Sequence, residues 1–269
     1  MPSETREASQ GRIVEANGTG IFYREQGRGR PLVLLHAGSL SGESWDPYLA
    51  AFADRYRVIV PDTPGHGRSG VPVSTLSYPG LADDMAAFIA ALGLSKPLIA
   101  GYSDGGQIAL EIGMRHPGLA GALVVGGAFF RFNSAYRAWL QSVFGEATSP
   151  EEDAGRLLRN HPEWVVWLEQ IYGPSAWPSV MARIKPMWTT PFDYSPEALA
   201  RIAAPTLVLV GDRDPVLPVE EAVELFRRLP AAELAVVPGA DHGAFFAVNA
   251  HLFQAAMLDF LSRQDIQVG

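Results

Sequence analysis

Gly101-Tyr102-Ser103-Asp104-Gly105-Gly106 is the stretch of sequence that decides how this chain is interpreted. It joins an apolar run at 97–102, which predicts a strand, to a predicted helix at Asp104–Arg115. A serine on such a sharp turn has its hydroxyl exposed above the sheet, and small neighbours are needed because backbone and helix crowd the turn. The Gly-x-Ser-x-Gly pattern alone is weak, and a plain glycine-rich turn is the alternative. The strand before it and the helix after it favour a nucleophilic serine.

Strand and helix patterns alternate on both sides of this turn. Short continuous apolar runs predict strands buried on both faces, at 31–36, 56–60, 120–125, 205–211 and 232–237. Helices are predicted between and after them, at 44–53, 81–92, 218–229 and 248–262. Near the start, strands at 12–17 and 21–26 flank Gly18-Thr19-Gly20 and predict a hairpin. This order predicts an α/β fold whose mostly parallel sheet carries helices on both faces.

The alternation is interrupted at 127–200, which holds 13 of the 27 aromatic residues and five of the six tryptophans. The segment has helix-start signals: Ser149-Pro150-Glu151-Glu152 is a capping-box pattern, and further helices are predicted at Pro162–Tyr172 and 178–185. We interpret it as a helical cap inserted into a core domain formed by 1–126 and 201–269. The aromatic residues either line a pocket or only pack the cap onto the core.

Composition excludes several classes of protein. The 269 residues include 21 Lys and Arg against 29 Asp and Glu, a net charge of −8, and no basic cluster, so no nucleic-acid partner is expected. The absence of Cys excludes thiolate metal sites and a cysteine nucleophile. The most apolar run, at 119–130, is too short to cross a membrane, and the polar start at 1–11 has no secretory apolar region. We therefore expect a cytoplasmic protein with no membrane partner.

A serine hydroxyl becomes a good nucleophile only when a base takes its proton and an acid orients that base. Asp212 and Asp214 follow the predicted strand at 205–211, and His242 follows the predicted strand at 232–237. Because ligands bind at the carboxyl edge of a parallel sheet, these side chains and Ser103 can converge there. Either aspartate can supply the acid on these grounds, and the order serine, acid, histidine matches a known arrangement.

With these motifs the chain resembles the α/β-hydrolase family of serine esterases with a helical cap, over nearly its whole length. The resemblance includes two further segments, His36-Ala37-Gly38-Ser39 and Asp62-Thr63-Pro64-Gly65-His66-Gly67-Arg68-Ser69. The two histidines in these turns are expected to be structural. The resemblance implies a hydrolase that needs no cofactor and no metal.

The resemblance also implies roles for single residues. Ser103 would be the nucleophile, His242 the base and Asp214 the acid, with Asp212 as the alternative. The oxyanion hole would be formed by the backbone N–H groups of Asp104 and Gly38. Ala37 stands where the family more usually has glycine, so this loop requires a negative φ at that position.

Substrate contacts are expected from Asp104 and from three cap tryptophans, Trp139, Trp164 and Trp188. Only the N–H of Asp104 is needed beside the nucleophile. Its carboxylate is then either a solvated acid favoured by the helix dipole or a group that contacts a cationic or hydrogen-bond-donating part of the substrate. The aromatic cap favours a small or medium, largely apolar acyl or aromatic substrate.

Other functions compete with ester hydrolysis. Gly65-His66-Gly67-Arg68-Ser69-Gly70 fits a dinucleotide fingerprint, but that motif requires a helix to begin within it, and the next helix is predicted only from about residue 79. The same triad would also serve a lactonase, a C–C bond hydrolase of ring-cleavage products or a cofactor-free perhydrolase. A non-enzymatic ligand receptor is disfavoured by the complete triad. The expected partner is a small-molecule ester, bound by a monomer or homodimer.

Overall fold

The computed structural model describes residues 11–146, 148–246 and 250–265. Within these ranges the framework is an eight-stranded sheet in the order β1-β2-β4-β3-β5-β6-β7-β8. The strands are β1 Arg12–Ala16, β2 Thr19–Gln26, β3 Arg30–Leu35, β4 Tyr56–Pro61, β5 Leu98–Tyr102, β6 Ala122–Gly126, β7 Thr206–Gly211 and β8 Ala232–Val237. β2 pairs antiparallel with β1 and β4, and the other pairs are parallel. The predicted α/β fold with a mostly parallel sheet is confirmed.

The entry hairpin forms its turn slightly earlier than the sequence predicts. Ala16 pairs with Thr19, so the two-residue turn consists of Asn17 and Gly18, which have φ angles of 49° and 76°. Asn and Gly are the residues that tolerate this left-handed conformation most readily. Thr19 and Gly20 therefore belong to β2, and the predicted turn at 18–20 is displaced.

Alternate side chains of each strand point to opposite faces of the sheet. The side chains on both faces are apolar, and helices cover both faces. Leu32 and Leu34 of β3 join the core beneath α1 Asp46–Ala53 and α10 Ala250–Asp265. Val33 and Leu35 join the core beneath α2 Tyr78–Ala91, α3 Asp104–Arg115 and α9 Val219–Arg228. The first two residues of the helix predicted at 248–262 lie outside the described residues. None of the helices in the described ranges has both the length and the apolar character of a membrane span.

Five described helices lie between β6 and β7, where the cap was predicted. They are α4 Ser134–Val143, α5 Pro150–Asn160, α6 Pro162–Tyr172, α7 Trp177–Thr189 and α8 Pro196–Leu199. Ser149 Oγ caps α5 by accepting a hydrogen bond from Glu152 N at 3.2 Å. The chain enters and leaves this segment side by side, joined by the bridge between Arg131 and Asp193. The division into a core domain and a cap at 127 and 200 stays an interpretation.

Candidate active site

Ser103 stands on a strained turn between β5 and α3. Its φ of 55° and ψ of −120° lie outside the regions that a residue with a Cβ normally adopts. The neighbouring glycines make this turn possible, because a Cβ atom on Gly101 would lie 2.0 Å from the carbonyl oxygen of Gly105. One on Gly105 would lie 2.0 Å from the carbonyl oxygen of Leu35. The small residues of the motif are therefore required by the close approach of α3 to the sheet.

The structure brings Ser103, His242 and Asp214 into one hydrogen-bonded chain. Ser103 Oγ is 3.0 Å from His242 Nε2, and His242 Nδ1 is 2.7 Å from Asp214 Oδ2. The other Asp214 oxygen accepts the backbone N–H groups of Val216 and Leu217, each at 2.8 Å. With a proton on Nδ1, which faces the carboxyl group, Nε2 can accept the proton of Ser103. This is the geometry that a serine nucleophile needs.

Asp212, the alternative acid, lies apart from this chain of hydrogen bonds. Its nearest charged partner is Arg213, at 3.8 Å, and its side chain is 35% exposed. The Asp214 side chain is fully buried against His242. The geometry thus favours Asp214, and its catalytic role stays a prediction.

The surroundings of His242 increase the affinity of its imidazole for a proton. Burial alone would lower the pKa of His242, but the charge and hydrogen bond of Asp214, together with the charges of Asp104 and Asp241, raise it above its ordinary value. The Tyr102 hydroxyl donates to the carbonyl oxygen of His242 at 3.1 Å and holds its loop against β5. The histidine is therefore both fixed in place and prepared to take up a proton.

The loop after β3 places Gly38 against Asp104. A Cβ atom at position 38 would lie 2.2 Å from Asp104 Oδ2 and 2.5 Å from Trp188 Cζ2, so only glycine fits there. Ala37 is not among the residues with positive φ. The loop therefore tolerates alanine at the position where the sequence requires a negative φ. The left-handed conformation falls instead at Ser39, with φ of 61°. The structure thus brings the two predicted oxyanion residues together, and their role stays a prediction.

The Asp104 carboxylate is buried, with 7% of the residue exposed. Its Oδ1 accepts the Tyr78 hydroxyl at 2.8 Å and its Oδ2 accepts Trp188 Nε1 at 2.7 Å. Burial raises the pKa of Asp104 to about 6, against the lowering effect of these two hydrogen bonds and of the His242 charge. The interpretation of Asp104 as a solvated helix-terminal acid is therefore wrong, because the cap covers it. A contact with substrate stays a prediction.

The three predicted cap tryptophans form one aromatic cluster. The ring centroids of Trp139, Trp164 and Trp188 lie 5.4 to 6.1 Å apart. Two of the rings also reach the core through their indole N–H groups: Trp188 donates to Asp104, and Trp164 donates to Ser39 Oγ at 3.0 Å. The cluster therefore rests directly on the residues around Ser103.

A polar stripe on α3 is the feature that the sequence did not reveal. Gln107 Nε2 donates to the Tyr194 hydroxyl at 2.8 Å, and Gln107 Oε1 accepts the N–H of Phe129 at 3.0 Å. The Tyr194 hydroxyl donates to Glu111 Oε1 at 2.5 Å. Asp104, Gln107 and Glu111 share one helix face at i, i+3 and i+7 spacing. Polar residues at this spacing on a buried helix were the available signal that α3 anchors the cap.

The buried histidines of the other two loops form hydrogen bonds with the backbone of these two loops. His36 Nε2 accepts the N–H of Thr63 at 2.9 Å, and its Nδ1 lies 2.8 Å from the carbonyl oxygen of Ala37. His66 Nδ1 lies 3.1 Å from the carbonyl oxygen of Pro64. Burial lowers the pKa of both, that of His66 to about 3, so both are neutral at pH 7. In the described part of the chain no group of three or more His, Asp or Glu is placed to hold a metal ion.

The chain is similar to known proteins over most of its length. A model of the alpha/beta hydrolase family matches residues 32–254. A non-heme haloperoxidase from Rhodococcus erythropolis is 30% identical, over 93% of this chain and 98% of its own. A putative carbamate hydrolase from Caulobacter sp. (strain K31) is 29% identical, over 90% of this chain and 96% of its own. The structure of a thermophilic esterase from Thermogutta terrifontis matches with a TM-score of 0.75 and 26% identity, over 95% of this chain and 99% of that one.

Proposed function

The chain belongs to the alpha/beta hydrolase family, and from this premise we propose that it is a serine hydrolase that cleaves carboxylic esters through an acyl-enzyme on Ser103. The observation that carries the proposal is the continuous hydrogen-bonded chain from Ser103 through His242 to Asp214. The esterase from Thermogutta terrifontis has a similar fold over almost the whole chain. An activated serine on this fold supports acyl transfer to water.

The proposed reaction has two steps. Ser103 Oγ attacks the ester carbonyl while His242 Nε2 takes its proton, and the same proton then goes to the departing alkoxide. Water then gives a proton to His242 Nε2 and attacks the acyl-enzyme. The bond between Ser103 Oγ and the acyl carbon breaks, the acid leaves, and Ser103 Oγ takes the proton back from His242. Asp214 holds the imidazole in the required tautomer and stabilises the imidazolium that forms in each step.

The oxyanion of each tetrahedral intermediate is assigned to the backbone N–H groups of Asp104 and Gly38. The first stands at the N-terminus of α3, where the helix dipole favours a negative charge. The second lies in the loop that packs against the Asp104 side chain. Fixed donors of this kind stabilise charge that appears only in the transition state.

The substrate that these surroundings favour is an ester with a small or medium, largely apolar acyl or aromatic group. Trp139, Trp164 and Trp188 provide aromatic surface beside the proposed oxyanion loop. Each oxygen of Asp104 already accepts one hydrogen bond, but a carboxylate oxygen has a second lone pair. Contact of this carboxylate with a donor group on the substrate therefore remains part of the proposal.

Perhydrolysis is a second candidate, supported by the similarity to a non-heme haloperoxidase. In that case hydrogen peroxide replaces water as the nucleophile that attacks the acyl-enzyme, and the product is a peracid. No other step of the mechanism changes. Lactone opening and C–C bond hydrolysis would use the same triad and are distinguished only by substrate.

A substrate panel with Ser103→Ala tests the proposal. Wild type and variant are assayed with p-nitrophenyl esters, lactones, amino-acid esters and their des-amino analogues, with and without peroxide. We expect ester turnover to fall by at least about 10³-fold in the variant, without loss of fold, and a fluorophosphonate probe to label only the wild type. Wild-type turnover in Ser103→Ala, or no labelling of Ser103, would overturn the proposal. Lactones preferred over esters would instead replace its substrate class.

A further inference from the structure

Helix α6 of the cap donates two hydrogen bonds to the loop that contains Gly38. Trp164 Nε1 donates to Ser39 Oγ at 3.0 Å, and the Tyr172 hydroxyl donates to the carbonyl oxygen of Leu40 at 3.1 Å. The Tyr172 oxygen also accepts the N–H of Gly67, at 3.0 Å. The loop is thus held by side chains that lie more than 120 residues away in the sequence.

The local conformation of this loop explains why it needs support. Leu40 N–H donates to the carbonyl oxygen of Ala37 at 3.2 Å, which closes a four-residue turn with Gly38 and Ser39 at its centre. Positive φ falls only at the second central position, which is typical of a type II turn and favours glycine or asparagine there. Ser39 occupies that position with φ of 61° and is fully buried. A residue held in a sparsely populated conformation persists only where its surroundings fix it.

The closing bond of the turn does not use the N–H groups of its two central residues, Gly38 and Ser39. It uses the N–H of Leu40 instead. The direction of the Gly38 N–H depends on the geometry of the turn, because the peptide units of the turn rotate together. A displacement of about 1 Å in a group that contacts the transition state can cost about 100-fold in rate. Small changes in the support of Ser39 are therefore expected to change catalysis.

We propose that Trp164 and Tyr172 are positioning residues: through their hydrogen bonds to the Ala37–Leu40 turn, the cap holds the Gly38 N–H in the orientation that stabilises the oxyanion. This inference rests on the proposed function, since it needs Gly38 to be an oxyanion donor. The cap then has two roles, because it covers the substrate and also completes the catalytic geometry. Loss of either hydrogen bond should slow acylation without weakening the binding of the ester.

Removal of the Trp164 bond from each side tests the proposal. Trp164→Phe keeps an aromatic ring and loses the N–H, and Ser39→Ala loses the acceptor without changing the tryptophan. For p-nitrophenyl acetate, each variant should show an acylation rate constant about 10 to 100-fold lower, with the substrate dissociation constant within about threefold of wild type. The inhibition constant of a trifluoromethyl ketone, which forms a tetrahedral adduct with serine, should rise in parallel. The double variant should fall no further than the single ones.

Trp167→Phe is the matched control. Trp167 lies on the same helix and is 40% exposed. Its ring packs 6.1 Å from that of Phe246, a residue outside the Ala37–Leu40 turn. Its replacement should leave acylation unchanged. If Trp164→Phe does not fold, as judged by circular dichroism, Tyr172→Phe removes a single hydroxyl and should lower the same rate constant.

Two sets of results overturn the inference. The first is an unchanged acylation rate constant in the variants, and the second is losses that add in the double variant or that fall on substrate binding alone. Failure of the proposed function is recognised separately, since wild-type Ser103 would then not react with a fluorophosphonate. If the fluorophosphonate instead labels Ser103 of wild type and of Trp164→Phe at equal rates, only the proposed role of Trp164 is overturned.

Discussion

Replacement of Asp104 by asparagine should change how stability depends on pH. Burial raises the pKa of Asp104 from 3.8 to about 6 in the folded protein, so its ionised form is disfavoured there. One pKa unit corresponds to about 1.4 kcal/mol, and this group therefore lowers the free energy of unfolding by about 3 kcal/mol as the pH rises from below 4 to above 6. The amide side chain of Asp104→Asn is neutral at every pH, so the variant lacks this decline.

The amide introduces a second effect, which does not depend on pH. It has one acceptor oxygen, whereas both oxygens of the Asp104 carboxyl group can accept in either protonation state, here from Tyr78 and Trp188. One of these buried donors would face the NH₂ group, at a cost of about 1–3 kcal/mol. Asp104→Asn should therefore be less stable than wild type near pH 4 and equal to it or more stable near pH 7.

Urea unfolding followed by circular dichroism between pH 4 and pH 8 measures this difference. Asp54→Asn, at an exposed position after α1, is the control and should follow wild type at every pH. A stability difference between Asp104→Asn and wild type that is constant across this range would refute the reasoning. The ionised Asp104 also helps to raise the pKa of His242, so the acid limb of kcat/KM should move to lower pH in the variant.

Three further predictions follow from the contacts described above. Asp214→Asn should lower kcat by about 10³ to 10⁴-fold, because the amide favours the wrong imidazole tautomer. Asp212→Asn should leave kcat unchanged, and equal losses of the two variants in an ester assay would contradict Asp214 as the acid. Gly105→Ala should destabilise the fold by about 1–3 kcal/mol or more, because its Cβ would lie 2.0 Å from the carbonyl oxygen of Leu35; an unchanged Tm would argue against this crowding. Ser149→Ala should lower the free energy of unfolding in urea by about 1 kcal/mol, because α5 loses its N-cap hydrogen bond. An unchanged midpoint would show that this hydrogen bond does not contribute to stability.

The meeting of Ser103, Asp214 and His242 could be predicted from the sequence because each follows a strand of the parallel sheet. β5, β7 and β8 end at Tyr102, Gly211 and Val237, and the carboxyl ends of parallel strands lie at one edge. The choice between Asp212 and Asp214 could not be made from this argument alone. It depends on which carboxylate faces inward, and the N–H groups of the turn after Asp214 decide that.

The surroundings of Asp104 could not be predicted, because they come from distant parts of the chain. Its local sequence, at the start of α3, equally fits a solvated acid favoured by the helix dipole. Trp188, which covers it, lies 84 residues later, and Tyr78 lies 26 residues earlier. The start of α5 could be predicted because its N-cap interaction is local: Ser149 and Glu152 are only three residues apart in the sequence.

The burial of Asp104 is itself an argument about function. The proposed oxyanion stabilisation requires only the N–H of Asp104, and a residue with no charge would supply that N–H without the penalty of about 3 kcal/mol at neutral pH. Strongly shifted carboxylates concentrate at functional sites, where local stability is given up for chemistry. Asp104 also joins α3 to the cap through Trp188, while Trp164 joins the same cap to Ser39. A change in cap position therefore acts on both proposed oxyanion donors at once, and substrates that fill the cap differently should differ in kcat as well as in KM.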